Sequence, residues 1–227
     1  MKRIPGLFVI LCAGLFAATL IAALLDLPPS AVRLPAEVMA QMQMSGVEHP
    51  VTAVLLNFRG YDTLLEIAVL LLALCGMLAA GAGQDRAGLK WADNSKPAEP
   101  VVQTLARHAA PLMMLAAIYL LWAGAHRAGG AFQAGAVLAA ALVLLNLTRL
   151  LSAWASPGRW LRIGLVGGFL VFLALAAALS GQGALLEYPP QYAGALILLI
   201  ETALTVSLGL TLAGLFLFLS EDDGETP

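Results

Sequence analysis

Three carboxylates sit inside, or at the edge of, stretches that are otherwise hydrocarbon. Asp62 and Glu66 open the run "GYDTLLEIAVLLLALCG", with Arg59 three residues ahead of the aspartate, and Glu201 stands alone in "ALILLIETALTVSLGL". Residues four apart share a helix face, so Asp62 and Glu66 project together with Cβ atoms about 6 Å apart. Counted from Gly60, Glu66 lies about 9 Å along the axis; counted from Gln191, Glu201 lies about 15 Å along, close to mid-membrane. A charged acid in hydrocarbon costs several kcal/mol unless it faces protein or water. An acid so placed is suited to binding a proton or a cation in turn. Asp62, at the helix start beside Arg59, reads as a cap stabilised by the helix's own amides. Glu66, one turn deeper, reads as an ion- or proton-handling group. Glu201 reads as a relay, with pairing to a hydroxyl or amide as the structural alternative. Thr202, Thr205 and Ser207 lie close to it, but membrane hydroxyls usually bond a neighbouring helix or their own carbonyls. His126, in "AHRAGGAFQAGAV", titrates near neutrality and would sit at the outer rim. A loop histidine is structural first, with a pathway role as the alternative. The glycines at 129, 130 and 135 allow a tight reversal and close helix approach.

Composition says what must hold these groups. Of 227 residues 60% are hydrophobic and 11% charged, and the mean hydropathy is +0.87. A water-soluble domain carries about a quarter charged residues, so too few polar groups exist to cover this chain in water. The net charge of −2 and the lack of a basic block argue against nucleic acid as a partner. Cys12 and Cys75 fall in apolar runs without metal-ligand spacing and read as small hydrophobes. No nucleophile triad, phosphate loop, metal cluster or haem motif is present, so no cofactor is expected. Absence of motifs does not exclude an enzyme, but nothing here is equipped to be one by itself.

The expected fold is an all-α integral membrane protein. Six apolar stretches approach the roughly 20 residues a bilayer requires: about Ile4 to Leu25, Tyr61 to Ala82, Ala106 to Ala125, Phe132 to Leu151, Leu161 to Leu179 and Gln191 to Leu219. The first has a rival reading as a cleaved secretory signal, although its apolar run exceeds the usual 7–15 residues. Lys2, Arg3, Arg86, Lys90, Lys96, Arg107, Arg149, Arg159 and Arg162 fall on one side, against Arg33, Arg59 and Arg127 on the other. Positive residues mark the cytoplasmic side, which places both termini inside. Asn146 and Arg149 would anchor the fourth span at the inner interface. In the first external loop, Val47, Val51, Val54, Leu55 and Phe58 have the spacing of a short amphipathic helix lying along the membrane. Residues 83–104, polar and proline-containing, read as a cytoplasmic linker. It separates a two-span module, 1–82, from a four-span module, 105–220, with an acidic tail at 221–227.

Two stretches carry a family resemblance. "HPVTAVLLNFRGYDTLLEIAVLLLALCG", His49 to Gly76, resembles the tail of the large subunit of Mrp-type sodium/proton antiporters and the small MbhE-type subunit of membrane-bound hydrogenases. The match rests on Thr52, Phe58-Arg59-Gly60, Asp62-Thr63-Leu64 and Glu66. Residues from about Arg107 to Ser220 resemble the MrpB (MnhB) subunit of the same complexes. That family's glycine-rich first loop is matched by His126 and by Gly129-Gly130-Ala131-Phe132-Gln133-Ala134-Gly135. A proline is missing, the stretch is one residue shorter and an alanine replaces one glycine. The family's later acid is matched by Glu201 after Ile200.

The resemblance implies a natural fusion of two neighbouring modules. It implies a membrane subunit of an Mrp-like cation/proton antiporter, with other antiporter subunits, the bilayer, Na+ and H+ as partners, in a bacterial or archaeal cytoplasmic membrane. It puts Glu66, Glu201, Asp62 and His126 on a sodium or proton path, with Arg59, Thr63, Gly129, Gly130 and Gln133 as charge partners or structural supports. The alternative is a coupling subunit in an antiporter-like membrane arm attached to a redox enzyme. A free-standing carrier is disfavoured, because no inverted repeat is evident.

Overall fold

A computed structural model describes residues 4–26, 33–82, 99–151, 158–181, 186 and 188–219. Among these, every regular element is helical. The elements are α1 (Ile4–Leu25), α2 (Leu34–Ser45), α3 (Pro50–Thr52) running directly into a π-helical segment (Ala53–Phe58), α4 (Gly60–Ala82), α5 (Pro100–Ala123), α6 (Ala131–Leu147), α7 (Arg159–Ser180) and α8 (Pro190–Leu219). The basic start Lys2-Arg3, linker residues 83–98 and the acidic tail lie outside the described residues.

The chain divides into two compact units, residues 1–37 and 38–227. The first contains α1, whose residues are almost all apolar, leaving no hydrophilic face. Its one hydroxyl, Thr19, donates to the carbonyl of Phe16 (2.7 Å), within the helix. In the second unit α8 is the central helix, packed against α6, α7, α4 and α5. Ile197, Ile200, Leu204 and Leu208 form its buried stripe, spaced three and four apart as one face of a helix must be.

Small residues let these helices approach. A Cβ at Gly135 of α6 would stand 2.9 Å from that of Leu208, and one at Gly168 of α7 only 2.6 Å from that of Ser207. The Ser207 hydroxyl donates across to the Leu165 carbonyl. Van der Waals contact and such hydrogen bonds hold helices together where lipid removes the hydrophobic driving force.

Four helices are long and apolar enough to cross a membrane: Gly60–Ala79, Pro100–Ala123, Arg159–Ser180 and Pro190–Leu217. Two more apolar helices, Ile10–Leu25 and Ala131–Leu147, are shorter. The chain is thus an all-α, multi-pass membrane protein. The fourth expected span, Phe132 to Leu151, stops early at Leu147. Thr148 turns its hydroxyl back to the Leu144 carbonyl (2.7 Å), and Arg149 takes a left-handed backbone (φ 59°) that ends the helix. Conversely, α5 begins at Pro100 rather than at Ala106, since a proline in the first turn gives up only an N–H that would be unsatisfied anyway.

The expected amphipathic helix is two helices. Gly46, with φ +68°, breaks the chain between α2 and Pro50 and seats against the start of α8, where a Cβ would lie 2.7 Å from the Pro190 carbonyl. Val47 therefore lies outside any helix. Within 50–58, Val51, Leu55 and Phe58 are exposed while Thr52, Ala53 and Leu56 are buried. The apolar side turned outward suits a segment lying on a membrane.

Candidate functional site

Glu201 is buried on α8, 5% exposed, about 16 Å along the helix from Pro190. Its carboxylate accepts the backbone N–H of Ala131, the first residue of α6. Helix starts leave their first amides unpaired and carry partial positive charge. None of the residues around the start of α6 caps it with its own side chain, so Glu201 supplies the cap from another helix. Gly130 makes room for it. A Cβ at this position would stand 2.6 Å from Glu201 Oε1 and 3.9 Å from Gln133 Oε1, and φ there is +107°. Only glycine adopts this conformation readily while leaving that space.

The connection between α5 and α6 is folded tightly against the end of α5. Gly130 N–H bonds the Leu120 carbonyl (2.9 Å), as does that of Gly124 (3.2 Å). A Cβ at Gly129 would fall 2.4 Å from the same carbonyl. The start of α6 thus lies level with Glu201, about 16 Å along α8 from Pro190.

The segment ahead of α4 is tied to this connection. Thr52, buried, donates to the Gly124 carbonyl (2.6 Å). His126 Nδ1 lies 2.7 Å from Glu48 Oε2, with the His126 ring edge-on to Trp122. Both members of the His126–Glu48 pair are well exposed.

The α4 acids form a separate group. Arg59 and Asp62 make an ion pair, with Arg59 65% and Asp62 30% exposed. Thr63 donates to the Leu55 carbonyl (2.6 Å), fastening the π-helical segment to the first turn of α4. The buried face of α4 is Gly60, Thr63, Ile67 and Leu74; Asp62 and Glu66 lie on its flank. Glu66 is exposed, and no hydrogen bond or ion pair joins it to any described residue.

The structure thus brings Glu201 together with Gly130 and Gln133, Gly129 with the end of α5, and Arg59 with Asp62. Glu66 is joined to none of these groups. The hydroxyls near Glu201 are structural. Thr202 bonds the Leu198 carbonyl and Thr205 that of Glu201. Two further groups had no local signal. Glu48 is 78 residues from its histidine, and Tyr188 is buried with its hydroxyl unbonded among the described residues. No group of three or more described His, Cys, Asp or Glu residues is arranged to hold a metal. What the arrangement offers is one buried carboxylate, an oriented backbone N–H and a nearby amide, groups whose chemistry is that of binding a proton or a small cation.

A family model described as "Domain related to MnhB subunit of Na+/H+ antiporter" matches residues 101–220. No curated protein matches the chain. Two solved structures share the fold. One is a chain of the membrane-bound sulfane sulfur reductase, an archaeal respiratory membrane complex, at 23% identity and a TM-score of 0.68, covering 96% of this chain and 97% of that one. The other is a chain of the Mrp complex from Dietzia sp. DQ12-45-1b, at 18% identity and a TM-score of 0.65, covering all of this chain but 27% of that one.

Proposed function

The chain belongs to the family of domains related to the MnhB subunit of Na+/H+ antiporters, and from that premise we propose that it is a membrane subunit of an Mrp-like cation/proton antiporter complex in which Glu201 exchanges a proton for a cation. The observation that carries this is the buried Glu201 carboxylate on the amino terminus of α6, beside a tightly folded connection that Gly130 shapes to admit it. A structural salt bridge would place a basic side chain there. A backbone N–H instead leaves the carboxylate one fixed partner and the freedom to bind and release a second. Gln133 and the 124–130 connection line the approach, and His126 stands at its outer end.

The two-span module before residue 83 rests on its resemblance to the large-subunit tail and on fold likeness, because the family match begins at residue 101. We assign Glu66 to the same path, at the boundary with a neighbouring subunit, and both termini to the cytoplasmic side of a bacterial or archaeal cytoplasmic membrane.

A second reading is favoured by one observation. The sulfane sulfur reductase chain matches over 96% of this chain and 97% of its own length, so a chain of this fold occurs in a respiratory complex. This chain would then couple a redox arm to ion movement. The test is isolation of the complex through a tag on this chain, with cation-driven proton movement measured in inverted vesicles. Antiporter subunits in the isolate, and exchange lost on deletion and restored on complementation, support the proposal. Redox-metal subunits in the isolate favour the second reading, and a chain that isolates alone contradicts both.

A further inference from the structure

We propose that the outward flank of α4 is the docking surface for a transmembrane helix of a different subunit, and that this helix presents a basic side chain to Glu66. Glu66 lies within the span Gly60–Ala79, about 9 Å from its start. It is exposed, and it is bonded to nothing among the described residues. Facing lipid, that carboxylate is costly, and acids inside spans face protein or water and pair with one another or with basic groups.

Neither α4 nor α1 has a cation to offer it. Residues 60–82 contain no lysine, arginine or histidine, and neither do the helical residues of α1. Arg59, about two turns before, is already paired with Asp62. A second copy is a poor partner for the same reason. Two parallel copies meeting on this flank would bring Glu66 toward Glu66, with no cation at that depth on either side, and like charges repel in low dielectric.

The surroundings are built for a helix. Tyr61, Leu65, Val69 and Leu72 make an exposed apolar stripe running beside Glu66. Ala73, two turns beyond the acid, is exposed, and a Cβ at Gly76 would meet nothing. Small residues at these positions let another backbone come close. Charge, depth and shape together specify the occupant: an apolar helix with one Lys, Arg or His level with Glu66. This deepens the proposed function and rests on it only in that the chain works inside a complex.

The experiment reads contact and not transport, so its failure is distinct from failure of the antiporter reading. In a Cys12→Ser, Cys75→Ser background, Leu65→Cys and Val69→Cys are labelled with N-phenylmaleimide in native membranes and in membranes holding this chain alone. Labelling should fall at least tenfold in the complex; equal labelling means the flank faces lipid and overturns the proposal. Benzoylphenylalanine placed at Leu65 should then form an adduct with a different chain, at a helix carrying a basic residue within one turn of the attachment point. An adduct between two copies of this chain, or with a helix lacking a basic residue, overturns it. Glu66→Gln should lower adduct yield several-fold and Glu66→Lys at least tenfold, with the latter restored by exchanging the partner's basic residue for Glu. Unchanged yield in both variants removes the charge pairing and overturns it as well.

Discussion

Gly130 and Glu201 are fitted to one another across 71 residues of sequence: a single methyl group at position 130 would stand 2.6 Å from the Glu201 Oε1. The glycine-rich connection is therefore not a flexible hinge. It is the half of the site that shapes a space for a carboxylate from α8. Gly130→Ala should strain a left-handed backbone, at about 1–3 kcal/mol, and displace the acid. The detergent-purified complex should melt several degrees lower and exchange ions poorly. An unchanged melting temperature with full exchange would mean that the carboxylate does not need this seat.

Adjacent glycines of α7 should respond in opposite ways. At Gly167 a Cβ meets nothing, whereas at Gly168 it meets Ser207 Cβ and the Ala203 carbonyl at 2.6 and 2.7 Å. Gly167→Ala should be neutral or stabilising by up to about 1 kcal/mol, through better helix propensity. Gly168→Ala should destabilise by about 1–3 kcal/mol through overpacking. Thermal unfolding of the two variants side by side decides this; equal effects would mean that α7 and α8 do not pack as described.

Asp62 and Arg59 should prove separable from the transport path. Their pair is substantially exposed, and exposed pairs contribute ~0–1 kcal/mol. Asp62→Asn should lower the yield of assembled complex modestly, while exchange per assembled complex stays near wild type. A large loss of exchange at normal yield would move Asp62 onto the path.

The His126–Glu48 pair should matter little to stability, for the same reason. Either His126→Gln or Glu48→Gln should shift the melting temperature by no more than a degree or two, equivalent to about 0.5 kcal/mol. If His126 stands at the mouth of the path, its replacement raises the cation concentration needed for half-maximal exchange a few-fold and leaves the maximal rate alone. Loss of the maximal rate would place it deeper than its exposure allows.

How much of this could be read from the residues follows from distance along the chain. The spans were legible because a bilayer demands long apolar runs, and the Arg59–Asp62 pair because three residues make one helical turn. The early end of α6 was not, since the left-handed turn at Arg149 uses no glycine to announce it. The face of α4 was hidden too: apolar residues surround the whole helix, so periodicity does not separate Ile67, buried in its own chain, from Leu65, which is not. Glu201 was recognisable as an acid within an apolar run, and it is buried. Its partner, a backbone N–H at Ala131, carries no residue signature and emerges only from the packing of α6 on α8.

The central claim is that Glu201 works by binding and releasing a proton. Glu201→Gln tests it most directly, because the amide keeps the size of the side chain and a carbonyl oxygen to accept the Ala131 N–H, but cannot titrate. The measurement is cation-driven proton movement in inverted vesicles, normalised to assembled complex, with Glu66→Gln in parallel. In Glu201→Gln assembly should be normal and exchange should fall at least tenfold. Wild-type exchange in that variant would make the carboxylate a helix cap alone and the chain a scaffold.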